Sequence, residues 1–133
     1  LCPSRRSSEL VGGVLESVVT QMKARGATNI RAVVGPCIGP ESYEVGPDMR
    51  DAVLAQDGNA GLFFRVAERA GHFMFDLPEY CSARLKAADV QQVEVLGMDT
   101  LTDQRFFSHR RRTLAGGGHI GHQISAIRPR VSS

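Results

Sequence analysis

Ile30-Arg31-Ala32-Val33-Val34-Gly35-Pro36-Cys37-Ile38-Gly39-Pro40 decides how this chain is read. The first five residues are short, apolar and rich in β-branched side chains, which suits a strand. The six that follow fit no regular element. Each proline lacks a backbone donor and restricts its predecessor, and each glycine admits positive φ or close backbone approach. A strand therefore runs straight into a tight irregular loop, and that loop carries a thiol, Cys37.

Upstream of it, Leu10, Val11, Val14, Leu15, Val18, Val19 and Met22 recur at helical spacing and predict one amphipathic helix from Ser8 to Gly26. Ser7 or Ser8 can cap its start and Gly26 its end, with Lys23 and Arg25 at the negative end of the dipole. Downstream, Ser42–Val45 predicts a second extended piece closed by Gly46-Pro47, and Asp48 can cap a helix through about Gln56 with Met49, Val53 and Leu54 inward. Asp57-Gly58-Asn59 is a turn, Phe63, Phe64 and Val66 form an apolar stretch, and His72–Phe75 reads as a strand. Asp76-Leu77-Pro78-Glu79 predicts a helix start, with aspartate as cap and proline in the first turn. Leu77, Cys81, Leu85 and Ala88 line one face of that helix. Val93, Val95 and Leu96 predict a strand, Asp99–Gln104 a polar loop, and Gln123–Ile127 a closing strand. Residues 1–7 read as a disordered lead-in, 8–129 as a single domain, and the tail as frayed. The class is α/β, with α+β as the alternative: a layered mixed sheet with flanking helices.

The 133 residues, 42% of them hydrophobic, can bury one substantial core. A net charge of +2 implies no strongly electrostatic partner for the whole domain. The one short basic run lacks a repeated aromatic platform, which argues against nucleic acid. No apolar run approaches the roughly 18–20 residues of a membrane span, and the start lacks an apolar signal core. Three cysteines without CxxC spacing suit reduced thiols, so the expected compartment is cytoplasmic.

Candidate chemistry concentrates in Phe106-Phe107-Ser108-His109-Arg110-Arg111-Arg112. Paired phenylalanines favour burial, and three successive arginines cannot all be buried without partners. The segment reads either as a strand end followed by a solvated basic loop or as the wall of an anion site. In the second reading Arg110 and Arg111 supply bidentate guanidiniums, Ser108 a hydroxyl, and glycines such as Gly35 and Gly39 backbone amides. Cys37 could serve as a nucleophile if a histidine lowered its pKa, or simply fill a gap as a small apolar side chain. His119 and His122 form an H-x-x-H pair in a glycine-rich loop, with His72 and His109 elsewhere, short of the converging set that zinc requires. Asp76 is better explained as a cap than as a catalytic acid.

Gly35-Pro-Cys-Ile-Gly-Pro-Glu-Ser-Tyr-Glu-Val-Gly46, Phe73-Met-Phe-Asp-Leu77 and Asp99-Thr-Leu-Thr-Asp-Gln-Arg-Phe-Phe-Ser-His-Arg-Arg111 stand in the order of a known family, with Gln123–Ile127 similar to its closing strand. The chain resembles the laccase-domain family, also called multicopper polyphenol oxidase-like or YfiH-like, from about Leu10 to Pro129. The resemblance implies a layered α/β fold of the kind shared with cytotoxic-necrotizing-factor-like cysteine hydrolases. It implies purine nucleoside and phosphate as substrates, through phosphorolysis of adenosine, inosine and methylthioadenosine, with adenosine deamination as a further activity. Older naming calls members polyphenol oxidases.

The family's metal is zinc (copper in older naming), held by two histidines and a cysteine ahead of the helix that here begins near Ser8. One of those histidines belongs to an H-A-G-W-[RK]-G motif, where this sequence has Ser4-Arg5-Arg6-Ser7-Ser8-Glu9. Cys37 is not the family's metal cysteine, and His109 replaces the tyrosine usual in F-F-S-Y-R-R. No metal is therefore expected on this chain. The start at Leu1, without methionine, adds to the expectation that the chain corresponds to the C-terminal half of such a protein, inactive alone. The alternatives are a non-catalytic or structural domain that assembles with another chain or as a homo-oligomer, and a cysteine hydrolase pairing Cys37 with His72 or His109.

Overall fold

The computed structural model describes residues 13–106, 108–117 and 126–128, with the backbone only of His109, Arg110 and Thr113. In chain order these form α1 (Val14–Ala24), β1 (Arg31–Val34), β2 (Glu44–Val45), α2 (Pro47–Gln56), a 3-10 turn (Ala60–Phe63), β3 (Phe64–Val66), β4 (Phe73–Phe75), α3 (Leu77–Ala87), β5 (Gln92–Val95) and α4 (His109–Leu114). Two sheets result. β1 and β5 pair in parallel, Arg31 opposite Gln92 through Val34 opposite Val95. β2, β4 and β3 form an antiparallel sheet with β4 in the centre. The class is mixed α/β, as the intermixed elements predict.

A parallel pair needs a long crossover, and here that crossover contains the whole antiparallel sheet and the helices α2 and α3. α3 packs against α1, β1, β5 and the 3-10 turn. Its start follows the local sequence closely. Asp76 Oδ1 accepts the Glu79 amide at 3.2 Å, and Pro78 sits in the first turn, so Asp76 is a cap as expected. In α2 the expected Asp48 cap is displaced: Gly46 holds the cap position, Pro47 starts the helix and Asp48 lies in its first turn. The end of α1 is equally local. Gly26 has φ 95, its amide reaches the Lys23 carbonyl, and Ala27 N donates to Met22 O at 3.0 Å. That closure needs a left-handed residue, which glycine adopts without a Cβ clash.

The core has two connected parts. Phe75, fully buried, stacks on Phe64 at 4.5 Å and meets Tyr43 at 5.9 Å and Tyr80 at 5.5 Å. Val53, Ala60, Leu77, Cys37 and Ile38 pack into the same cluster. The second part, Val19, Leu85 and Val90, is joined by Ala32, Val34 and Val93 from the inner face of the parallel pair. Leu15 and Val34 touch both.

The predicted stripe on α1 divides in two. Val19 is buried and Leu15 packs on the core, while Val18 and Met22 remain 52% and 42% exposed. Adjacent apolar pairs make a stripe wider than one packing face, and a two-stranded sheet with α3 behind it covers only one side of it. Leu10, Val11 and the expected Ser7 or Ser8 cap lie outside the described residues, where the first described helix begins after Gly13.

Between α1 and α3, Arg84 Nε donates to Glu16 Oε1, and Arg84 Nη1 lies 3.6 Å from Asp57 Oδ2. Nearby, Tyr80 is 1% exposed and its hydroxyl has no hydrogen-bond partner among the described residues. An unpartnered buried hydroxyl carries a desolvation cost of about 1–3 kcal/mol. Tyr80→Phe keeps the ring contacts and removes that hydroxyl, so it is expected to stabilise the protein by about 1 kcal/mol. An upward shift of the urea midpoint at constant m value checks this, and a lowered midpoint would refute it.

Candidate functional site

The register of β1 with β5 continues beyond both strands. Leu96 N donates to Val34 O at 3.1 Å, Cys37 N to Met98 O at 3.2 Å, and Thr100 N to Cys37 O at 3.0 Å, with Cys37 and Asp99 forming an isolated parallel bridge. The glycine–proline loop is thus stitched to the segment after β5. Together they wall a cleft of ≈ 80 Å³ whose lining includes Gly35, Cys37, Gly39, Pro78, Met98 and Asp99. It opens at the carboxyl ends of a parallel pair, where α/β folds place ligands.

Asp99 holds this wall together. Its Oδ2 accepts Ser42 Oγ at 2.5 Å and its Oδ1 accepts the Leu101 amide at 2.8 Å. A Cβ on Gly39 would stand 2.7 Å from Asp99 Oδ2 and 3.2 Å from its Cβ. Glycine at position 39 is therefore what lets the two loops close on each other. Sequence reasoning placed Asp99 only at the start of a polar loop. The signal that could have found its role is topological: loops that follow two paired parallel strands lie side by side.

The basic segment is helical where sequence suggested a strand end and loop. Ser108, 7% exposed, accepts the Arg111 amide on Oγ at 3.2 Å and so caps α4. Arg111 Nη1 donates to the carbonyls of Thr100, Leu101 and Asp103 at 3.0, 3.2 and 3.4 Å, and Nη2 to that of Phe106 at 2.5 Å. Its guanidinium, expected on an anion, is committed to the loop leaving the cleft. Arg105 pairs with Asp103 in a fork at the surface, which draws the Asp103 carboxyl down to about 2. Phe106 is half-buried. The backbone of Arg110 lies on α4, and its side chain is outside the described residues, as are Phe107, His119, His122 and 123–125 of the expected closing strand. Ala126–Arg128, the described end of that stretch, is exposed and outside any strand.

Cys37 is a buried thiol. Desolvation, with smaller contributions from the Asp99 and Asp76 carboxylates, pushes it up to about 11, and desolvation pushes Cys81 up to about 12. His72 Nδ1 lies 3.1 Å from the Ala70 carbonyl in the β3–β4 turn. This geometry counts against a Cys37 nucleophile, because the thiolate is disfavoured at neutral pH. A thiol whose pKa rises on folding favours the fold while neutral. That contribution is intact below the ordinary value of 9.0 and is lost as pH rises through about 11. With Cys2 replaced by serine, native protein at pH 7 is expected to react with a disulfide reagent far more slowly than urea-unfolded protein. Equal rates would refute the burial argument.

The described residues contain no group of three or more histidine, cysteine, aspartate or glutamate side chains placed to hold a metal. The donors nearest the cleft are a protonated thiol and a carboxylate already shared between Ser42 and Leu101, so this wall by itself does not fit zinc or copper. No helix among the described residues is long and apolar enough to cross a membrane.

Fold and cleft together define a mixed α/β protein with a crevice at the ends of a parallel strand pair. The chain belongs to the laccase-domain family, whose signature, described as multi-copper polyphenol oxidoreductase laccase, matches residues 8–130. It is 34% identical over 103 residues to a purine nucleoside phosphorylase of Rickettsia conorii, covering 77% of this chain and 43% of that protein. It is 36% identical over 110 residues to purine nucleoside phosphorylase YfiH of Escherichia coli, covering 80% and 43%. Among solved structures, YfiH of Bacillus licheniformis superposes with a TM-score of 0.69 at 29% identity, over 77% of this chain and 41% of that one. A Neisseria meningitidis protein does so with 0.66 at 30%, over 77% and 42%. The chain thus spans less than half the length of these relatives.

Proposed function

We propose that the cleft between the 35–40 and 95–99 loops is part of a purine nucleoside phosphorylase site. The observation that carries this reading is a crevice at the carboxyl ends of β1 and β5 in a chain about a third identical to proteins named purine nucleoside phosphorylases. In phosphorolysis a phosphate oxygen forms a bond to C1′ of the ribose while the bond from C1′ to the base nitrogen breaks. The base departs with the proton that phosphate gives up, leaving ribose 1-phosphate. The chain's own part in this is to hold the phosphate and exclude water.

Arg110 is the guanidinium assigned to the phosphate, since Arg111 is occupied with loop carbonyls. Backbone at Gly35 and Gly39 supplies the close approach that side chains would block. Ser108 acts through α4, by holding the helix that bears Arg110. At ≈ 80 Å³ the cleft is far smaller than the roughly 300–1,000 Å³ of sites that enclose a whole small-molecule ligand. It suits a phosphate or one edge of a nucleoside, and the remainder of the site comes from polypeptide beyond the described residues. Zinc, which the family resemblance implies, would be bound there too, and no step is assigned to it.

The test is phosphate-dependent release of hypoxanthine from inosine, or adenine from adenosine. The chain is assayed alone and co-expressed with the part of the Rickettsia conorii relative that it does not match. The expected result is base release only from the combined protein, reduced at least tenfold by Arg110→Ala with an unchanged melting temperature. Robust turnover by the metal-stripped chain alone would refute the incomplete site. Base release that ignores phosphate would refute phosphorolysis.

A further inference from the structure

We propose that Asp99 makes the cleft between the 35–40 and 95–99 loops an acceptor subsite, which takes a neutral hydrogen-bond donor edge of the nucleoside and keeps phosphate out. The inference rests on the nucleoside reading of the cleft given above, and it names the residue that selects which part of the substrate enters.

Charge decides between the two occupants, because size does not: at ≈ 80 Å³ a phosphate and the edge of a nucleoside both fit. The ionisable groups among the described lining residues are the Asp99 carboxylate and the Cys37 thiol, with no lysine, arginine or histidine beside them. Pro40 and Pro78 have no amide to offer. Other amides of the two loops are already spent, Cys37 N on Met98 O, Leu96 N on Val34 O and Ser42 N on Gly39 O. A phosphate here would lie beside a like charge with no cation to offset it. Phosphate sites are built the other way, from guanidiniums and unspent amides.

A donor edge meets the opposite situation. A carboxylate accepts about four hydrogen bonds. Asp99 receives one on Oδ2 from Ser42 Oγ at 2.5 Å and one on Oδ1 from the Leu101 amide at 2.8 Å. Each oxygen therefore keeps acceptor capacity, and the two internal bonds fix the carboxylate's direction before a ligand arrives. Both internal donors lie outside the cleft lining, whereas Asp99 belongs to it. Two edges of a purine nucleoside carry suitable donors. The base offers N1–H in hypoxanthine or the 6-amino group in adenine, and the ribose offers its 2′,3′-diol. The shared chemistry is an uncharged N–H or O–H, and a site built to pair such a group rejects the analogue that lacks it. The phosphate then falls to Arg110 on α4.

The experiment follows the 35–39 and 97–99 backbone amides by NMR in the chain itself, titrated separately with inosine, purine riboside, 2′,3′-dideoxyinosine and inorganic phosphate. Inosine is expected to shift these amides saturably, and phosphate to leave them in place. Purine riboside, without a donor at positions 1 and 6, should bind at least tenfold more weakly when the base edge is the one held. Dideoxyinosine should do so when the diol is held. Asp99→Asn, which keeps the shape and removes the charge, should weaken inosine at least tenfold and abolish its advantage over the weaker analogue. A merely structural role would weaken both nucleosides alike and preserve their ratio, which would overturn the assignment.

Equal binding of inosine and both analogues to the unmodified chain would overturn it without any variant. So would cleft amides that respond to phosphate, or that respond to no nucleoside. The expected analogue order without phosphate-dependent base release from the combined protein would leave this inference standing and refute the catalytic reading. Phosphate-dependent release with phosphate bound in the cleft would do the reverse.

Discussion

Arg111→Ala is expected to lower the unfolding free energy by about 3 kcal/mol and to release the segment from Thr100 to Phe106. Hydrogen bonds to a charged donor contribute about 1.5–3 kcal/mol each, and removing the donor leaves its acceptors unpaired. Arg111 reaches four carbonyls, but two of the contacts are long, at 3.2 and 3.4 Å. Their loss is not additive, so the expected cost corresponds to about two good bonds. Arg111→Lys should recover little of it, because an ammonium is a single point of charge and cannot span carbonyls at residues 100, 101, 103 and 106. Urea unfolding measures the stability, and hydrogen exchange across 100–106 reports the loop. A change below about 0.5 kcal/mol, the scale of ordinary surface substitutions, would show that the clamp does not form in solution. The contrast with Arg110→Ala separates the roles of adjacent arginines: one variant should alter stability and the other phosphate dependence.

Phe75→Ala is expected to cost about 4 kcal/mol, within the range for truncating a buried phenylalanine. The ring is completely buried and joins Phe64 of β3, Tyr43 just before β2 and Tyr80 of α3. Three aromatic neighbours cannot all collapse into one vacated space, so the cavity term remains. Against the roughly 5–15 kcal/mol stability of a typical domain, that loss would leave the protein close to its unfolding midpoint at physiological temperature. Phe75→Leu, which retains much of the volume, should lose less than half as much. The measurement is again the urea midpoint with m held constant. An alanine variant within 1 kcal/mol of the parent would mean that the aromatic cluster is not the centre of the core.

Local features of the chain were legible before its fold was known. The Asp76 cap, proline in the first turn of α3 and the glycine closure of α1 each depend on backbone dihedrals and hydrogen bonds within a few residues. β1 and the loop after it were legible for the same reason, as was the family, since its motifs are carried by residue identity and order. The α1 stripe was legible only in part. Periodicity reports which residues share a face, not how much surface is available to cover them, so Val18 and Met22 read like Leu15 and Val19.

What the sequence determined by itself is therefore the short-range elements from α1 to β5, the mixed α/β class and the laccase-domain membership, while α4 was read as a strand end and loop. The tertiary structure decided where the chemistry lies. Gly39 and Ser42 meet Asp99 only because β1 pairs with β5 across a long crossover. Arg111 turns from an anion contact into a loop clamp because unpaired carbonyls lie within its reach. Burial rather than residue type sets the Cys37 thiol at about 11. The physical reason is the same in each case. Hydrogen bonding and ionisation depend on which groups converge in space, and residues 39, 42 and 99 converge through a pairing that no local pattern encodes.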